Sequence, residues 1–155
     1  MNKYLHILRL LNRKFYLLYL LLLCSSMACI PLIYTDWCTL IVSVNLKIPF
    51  SDILIQPRTI LLTGKDVLGY FSILPVIPLT LVYFQYTRQY AWIASVLMIF
   101  VTLLHLINIQ SVFDFVQSQS PDALTFKIEF SNSLFTYFGL TTTQTLIAFL
   151  ISKTS

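Results

Sequence analysis

An all-α integral membrane protein, built as a four-transmembrane-helix bundle with short β-strands in its two extracytoplasmic loops, is the fold class this sequence predicts. Three observations carry it. Of 155 residues, 57% are apolar and 10% charged, whereas a soluble domain of this size carries about 25% charged residues to cover its surface. Four uncharged stretches reach the roughly 20 residues that a helix needs to cross about 30 Å of hydrocarbon. Two of the segments between them alternate apolar and polar residues with period two. Ten Lys plus Arg against six Asp plus Glu leave a formal charge of +4. Such a chain is not a secreted disulfide scaffold, a nucleic-acid binder or a two-domain soluble enzyme.

The first span is 15–34 (FYLLYLLLLCSSMACIPLIY) and the second 67–87 (VLGYFSILPVIPLTLVYFQYT). The third is 90–109 (YAWIASVLMIFVTLLHLINI) and the fourth 131–152 (SNSLFTYFGLTTTQTLIAFLIS), the most polar of the set through its Thr and Gln. Hydrocarbon offers no hydrogen bonds, so each span must satisfy its backbone internally and takes helical form. With a cytoplasmic N-terminus, the inside segments hold Lys3, Arg9, Arg13, Lys14, Arg88 and Lys153 and no acid. The outer loops, 35–66 and 110–130, then hold Lys47, Arg58, Lys65 and Lys127 with all six acids. Six basic residues inside against four outside follow the positive-inside rule. The expected placement is therefore multi-pass in a bacterial inner (plasma) membrane, both termini cytoplasmic, with 1–155 forming one membrane domain free of linkers and repeats.

Residues 1–14 carry a second pattern. Asn2, Lys3, His6, Arg9 and Arg13 share one side of a helical wheel, with Tyr4, Leu5, Leu8 and Leu11 on the other. This fits a short amphipathic helix on the cytoplasmic surface, its basic face drawn to anionic membrane lipid; a basic tail that only sets topology fits equally. A cleavable signal ending at the Ser25–Ala28 stretch before Cys29 is disfavoured, because the apolar run continues through Tyr34 and Met27 occupies a position that prefers a smaller residue.

In the first outer loop, Leu40, Val42, Val44, Leu46, Ile48 and Phe50 alternate with polar residues that include Thr39, Ser43, Asn45 and Lys47, the mark of a half-buried strand that Pro49 should end or push to an edge. Apolar stretches at Ile53–Ile55 and Ile60–Leu62 follow. In the second outer loop Leu124, Phe126, Ile128 and Phe130 alternate with Thr125, Lys127, Glu129 and Ser131. Unpaired surface strands expose backbone donors, so these segments should pair with each other or with a partner, through Val42, Val44 and Leu46 on one side and Phe126 and Ile128 on the other. Spans two and three, joined by little more than Arg88, must form an antiparallel hairpin.

Residues that bear chemistry are few. Cys24, Cys29 and Cys38 include no CxxC pair and are best read as small apolar residues, although a Cys29–Cys38 bridge is geometrically conceivable. His6 and His105 lie on opposite sides, so no metal site is expected, and a haem at His105 would lack a second axial ligand. Thr102, His105 and Asn108 stand at i, i+3 and i+6 and form a polar stripe. At membrane depth such a stripe faces the bundle or a partner, with Thr141, Gln144 or Thr145 as candidate helix-to-helix contacts. Pro75 and Pro78 should kink the second span. There are no paired carboxylates, no phosphate loop and no acid within a span. The expectation is a non-enzymatic binding protein without cofactors, whose partners are membrane lipid and a protein met within the membrane or at its outer face, and not nucleic acid.

Local wording adds a resemblance. Ile30-Pro31-Leu32-Ile33-Tyr34 closes the first span, Pro49 to Asp52 reads Pro-Phe-Ser-Asp, and the second span is entered through Gly64-Lys65-Asp66-Val67 and left at Tyr86-Thr87-Arg88. Leu124-Thr125 precedes the last span. In these features and in whole-chain layout the sequence resembles the four-helix immunity proteins that protect bacteria against A-type pore-forming colicins. The resemblance implies a protein that recognises a toxin's channel domain within the membrane, through its helices and outer loops, and stops the pore from opening. The runner-up is a small accessory or assembly subunit of a larger membrane complex. The layout is also similar to the claudin architecture, but only Trp37-Cys38 of that family's signature is present.

Overall fold

The computed structural model describes residues 2–44, 57–84, 86–119 and 124–153, with the backbone alone at 2–12 and at 124. The segment Asn2–Ile33 forms one continuous helix, α1. The basic segment expected as a separate surface helix or as a tail is thus the opening of the first span's own helix. No Gly or Pro interrupts the chain before Pro31, and its Leu-rich run favours helix throughout. Beyond Pro31 the helix closes with Tyr34 N–H donating to the Pro31 carbonyl at 3.0 Å and Thr35 N–H to the Leu32 carbonyl at 3.2 Å.

The loop after α1 holds β1 (Asp36–Val44) and β2 (Arg58–Thr63). The strand expected over Leu40–Phe50 therefore begins earlier, at Asp36; its later part, with Leu46 and Pro49, lies outside the described residues, as does Ile53–Ile55. Ile60–Leu62, taken from sequence only as an apolar stretch, is part of a strand. With β3 (Leu124–Phe130) these strands form an antiparallel sheet in the order β2-β1-β3. Leu40 faces Ile128, and Val42 faces Phe126 across β1 and β3. The strands of the two loops thus pair with each other. Because side chains alternate across a strand, this register gathers the apolar even-numbered rows on one face.

The second span is not one kinked α-helix over 67–87. It is α2 (Gly64–Leu68), a 3-10 stretch Gly69–Val76 and α3 (Ile77–Tyr83). Gly69, at φ 54°, ends α2 in a conformation that residues with a Cβ avoid. Pro75 and Pro78 then withhold two of the N–H groups that an α-helix would need. At about 2 Å rise per residue the 3-10 stretch lengthens the path, so that these 20 residues still extend over about 34 Å.

α4 runs over Ala91–Gln119, well past Ile109, so what was expected as the first part of the second outer loop is helix. No Gly or Pro intervenes before Pro121, and Phe113 packs on Phe126 of β3 with ring centroids 5.4 Å apart. Twenty-nine residues make a helix of about 43 Å, longer than the hydrocarbon layer is thick, and its last turns lie beside the sheet. α5 is Asn132–Lys153 and packs chiefly on α1 and α4. Four helical segments, 13–33, 64–83, 88–119 and 132–153, are long and apolar enough to cross a membrane.

Two apolar cores stabilise the bundle, one at each end. At the sheet end, Cys29, Ile33, Trp37, Val67, Leu134 and Tyr137 are buried together. At the opposite end, Leu22, Val82, Ala91, Ala148 and Ile151 are buried together. Trp37 joins sheet to helices: its Nε1 donates to the Leu32 carbonyl at 2.7 Å, and its ring lies 4.5 Å from that of Tyr137. Thr63 and Asp66 form a reciprocal capping box that starts α2 directly from β2.

Candidate functional site

Between the two apolar cores lies a belt of buried polar side chains. It comprises Ser25 and Ser26 of α1, Ser95 and Thr102 of α4, and Thr141 and Gln144 of α5. Most of these hydroxyls are spent within their own helices. Ser25 donates to the Leu22 carbonyl at 2.9 Å, Ser95 to Ala91 at 3.2 Å, Thr102 to Met98 at 2.9 Å and Thr141 to Phe138 at 3.0 Å. Among the described side chains of the belt, a bond crosses between helices: Gln144 Nε2 donates to Ser26 Oγ at 2.9 Å. Gln144 Oε1 is buried with no hydrogen-bond partner among the described residues, as is the Tyr137 hydroxyl, which has Thr102 and Cys29 beside it.

The polar stripe divides. Thr102 is fully buried in the belt, His105 is half-buried and Asn108 is exposed. The reason is geometric: residues three apart on an α-helix advance about 300°, so a three-step stripe drifts around the helix and only its first member stays in the core. Gln144 hydrogen-bonds Ser26 of α1.

His105 and Asn108 instead line a groove of about 320 Å³ between α4 and the start of α2. Asp66, Leu62, Ile109, Val112 and Phe113 complete its lining, which is mostly apolar. Phe71 from the 3-10 stretch lies edge-on to the imidazole, centroids 5.3 Å apart. His105 Nδ1 is 2.8 Å from the Val101 carbonyl. A carbonyl only accepts, so Nδ1 carries the hydrogen and Nε2 is the ring nitrogen left with a lone pair in the neutral form. Pro75 and Pro78 are buried in the second span and shape it, outside this groove.

A smaller cavity of about 170 Å³ lies between α4 and the sheet, where Phe126, Ile128 and Phe130 face Gln110, Phe113 and Asp114. The apolar row chosen from sequence as partner-binding is thus turned toward the chain's own α4. Val42 and Val44 share that face by register and are half-buried. The opposite face carries Lys127 and Glu129, which pair with each other in the open.

Cys24, Cys29 and Cys38 are free thiols, and Cys29 and Cys38 belong to the sheet-end core; burial pushes the Cys38 thiol up. Among the described residues no cluster of three metal-ligating side chains occurs. Ser25, Ser26 and Ser95 are the polar-belt members that sequence reasoning missed. The adjacent Ser pair inside an otherwise aliphatic run was the available signal, since a span gains nothing in lipid from exposed hydroxyls. The class defined by these features is a four-helix bundle of membrane-spanning length under a three-stranded cap. No family model and no curated protein matches the sequence.

Proposed function

We propose that this chain is a non-enzymatic, multi-pass binding protein of the bacterial inner membrane, with both termini cytoplasmic, and specifically an immunity protein that blocks a pore-forming bacteriocin. One observation carries the reading. Most of the described buried hydroxyls are spent on their own helices, while a largely apolar groove beside the sheet, lined by Leu62, Ile109, Val112 and Phe113 with Asp66, His105 and Asn108, stands open to an approaching partner. That arrangement suits recognition better than turnover, because a reacting group must be free to exchange protons or electron pairs. Apolar outward faces support the membrane setting: Leu17, Leu20, Phe100, Ile107, Leu146 and Leu150 are all exposed. A channel domain that inserts beside the bundle would meet these faces and the groove together.

The test is expression in toxin-sensitive cells, followed by potassium efflux after challenge with an A-type pore-forming colicin. Efflux should be suppressed. Undiminished efflux with the protein correctly inserted removes the reading for that toxin.

A second reading, an accessory subunit of a larger complex, is favoured by β2. This strand lies at an edge of the sheet and exposes Ile60 and Leu61, which project from opposite faces. Native gels of solubilised membranes would then show the chain in a high-mass band that Leu61→Lys disperses; a single low-mass band in both forms counts against it.

A further inference from the structure

We propose that Arg88, in the turn between the second and third spans, holds the phosphate of an anionic phospholipid. The inference rests on the reading that the helices span a bilayer, and it applies to either orientation of the chain.

Arg88 is fixed in place yet has donors to spare. Its Nε donates to the Val82 carbonyl at 3.4 Å, and its guanidinium carbon lies 4.3 Å from the centroid of the Phe15 ring. One hydrogen bond and one stacked ring together hold the guanidinium plane. The nearby carbonyls of Leu81 and Phe84 are already met: Thr87 Oγ1 donates to Leu81 at 2.8 Å, and the N–H groups of Thr87 and Arg88 donate to Phe84 at 3.2 and 3.1 Å. The two terminal nitrogens of Arg88 make no hydrogen bond or ion pair among the described residues, and neither is buried. A held fork of free N–H donors matches two oxygens of a phosphate.

Place and charge favour a lipid phosphate. The turn lies where the Gly64–Tyr83 candidate span has ended and the Arg88–Gln119 one begins. Tyr83, Tyr86 and Tyr90 flank Arg88 in the chain, Tyr16 follows Phe15 on α1, and all four are exposed. Tyrosines concentrate where hydrocarbon meets headgroups, so Arg88 stands at the depth of the lipid phosphates. Arg13, Lys14 and Lys153 are exposed at the same end of the bundle, whereas the described acids lie at or beside the sheet end. A zwitterionic headgroup would bring its own ammonium into this positive field; an anionic one brings none.

The experiment reconstitutes the full chain in nanodiscs holding equal parts phosphatidylglycerol, phosphatidylethanolamine and phosphatidylcholine, and counts retained lipids by native mass spectrometry. Phosphatidylglycerol should be retained about fivefold over both others, the effect of one basic residue at a membrane surface. Arg88→Gln should abolish the preference and Arg88→Lys should lose most of it, because an ammonium keeps the charge without the fork. Lys127→Gln, at the sheet end, should retain it. Equal retention of the three lipids by the wild type, or full preference in Arg88→Lys, overturns the proposal; the latter would mean that diffuse charge alone attracts the lipid. A readout on the wild type decides even if the Arg88 variants fail to fold. Phenylglyoxal should modify Arg88 about fivefold more slowly in phosphatidylglycerol discs than in phosphatidylcholine discs, with Arg58 modified equally in both. Unprotected Arg88 overturns the site, and equal protection by inorganic phosphate in phosphatidylcholine discs overturns the lipid assignment in favour of a soluble anion. Protease protection of the same nanodiscs separates the two levels: a chain that is not inserted sinks the membrane reading itself, whereas an inserted chain without preference sinks only the phosphate site.

Discussion

Gln144 is the polar side chain on which the centre of the bundle turns. Its amide nitrogen holds Ser26 across the α1–α5 interface, while its oxygen is buried without a partner among the described residues. An unmade buried hydrogen bond costs about 1–3 kcal/mol, so the residue stabilises on one side and destabilises on the other. Gln144→Met, which keeps the volume and removes both groups, should leave stability within about 1 kcal/mol of wild type. Ser26→Ala orphans the amide donor and should cost about 1–2 kcal/mol. A double-mutant cycle read by unfolding in mixed micelles should return a coupling of about 0.6–1.7 kcal/mol; zero coupling would show that the bond contributes nothing. Gly64 is constrained differently. A Cβ there would stand 2.6 Å from Cζ2 of the Trp37 indole, itself buried against Tyr137. The ring has no room to withdraw, so Gly64→Ala should destabilise by about 1–3 kcal/mol and shift Trp37 fluorescence to the red as the indole is exposed. A silent substitution would mean that the cap is looser than its packing indicates.

At the scale of elements, the second span explains how a stretch with two prolines and a strained glycine still extends far enough to cross a bilayer. Its break is placed by Gly69, whose positive φ admits the turn from α2 into the 3-10 stretch. Gly69→Ala should therefore cost about 1 kcal/mol or more, although open space surrounds the position and a Cβ would meet nothing. Equal melting temperatures of wild type and variant would refute the backbone argument. The sheet follows a similar logic of supply and demand. β1 is the central strand, paired on both sides, and Ser131 ties α5 to it: its N–H donates to the Trp37 carbonyl at 2.9 Å and its hydroxyl donates to the Asp36 carbonyl. Three strands, with one face against α4, are the least that a freestanding sheet needs.

Over the whole molecule, the described acids are confined to one end, where Arg58, Lys65 and Lys127 also lie. The described acids Asp36, Asp66, Asp114 and Glu129 lie at or beside the sheet end. Arg88 lies over Phe15, with its guanidinium carbon 4.3 Å from the ring centroid, and Lys153 lies near Phe149, both at the end opposite the sheet. A membrane that retains Lys and Arg on its cytoplasmic side would hold the bundle with the sheet outward. Alkaline phosphatase fused after Lys127 should be active and the same enzyme fused after Arg88 inactive; the reverse pattern would invert the placement of the groove and sheet.

Spans, charge bias and strand alternation were legible along the chain because each is a local periodic property: 3.6-residue turns, two-residue pleats and the length of a bilayer impose themselves on consecutive residues. Thus Leu124–Phe130 could be assigned as a strand before any fold was known, and the four apolar stretches needed only counting. Which polar atoms meet is a different matter. Ser26 and Gln144 stand far apart in sequence, Ile60–Leu62 became strand because β1 offered a free edge, and α4 outran its apolar stretch because Phe113 found Phe126. Likewise His105 and Asn108 were separated from Thr102 by about 60° and 120° of helix rotation, and which of these angles leaves the core is decided by the packing of neighbouring helices. Such pairings depend on how one surface fits another, and no window of consecutive residues contains that information.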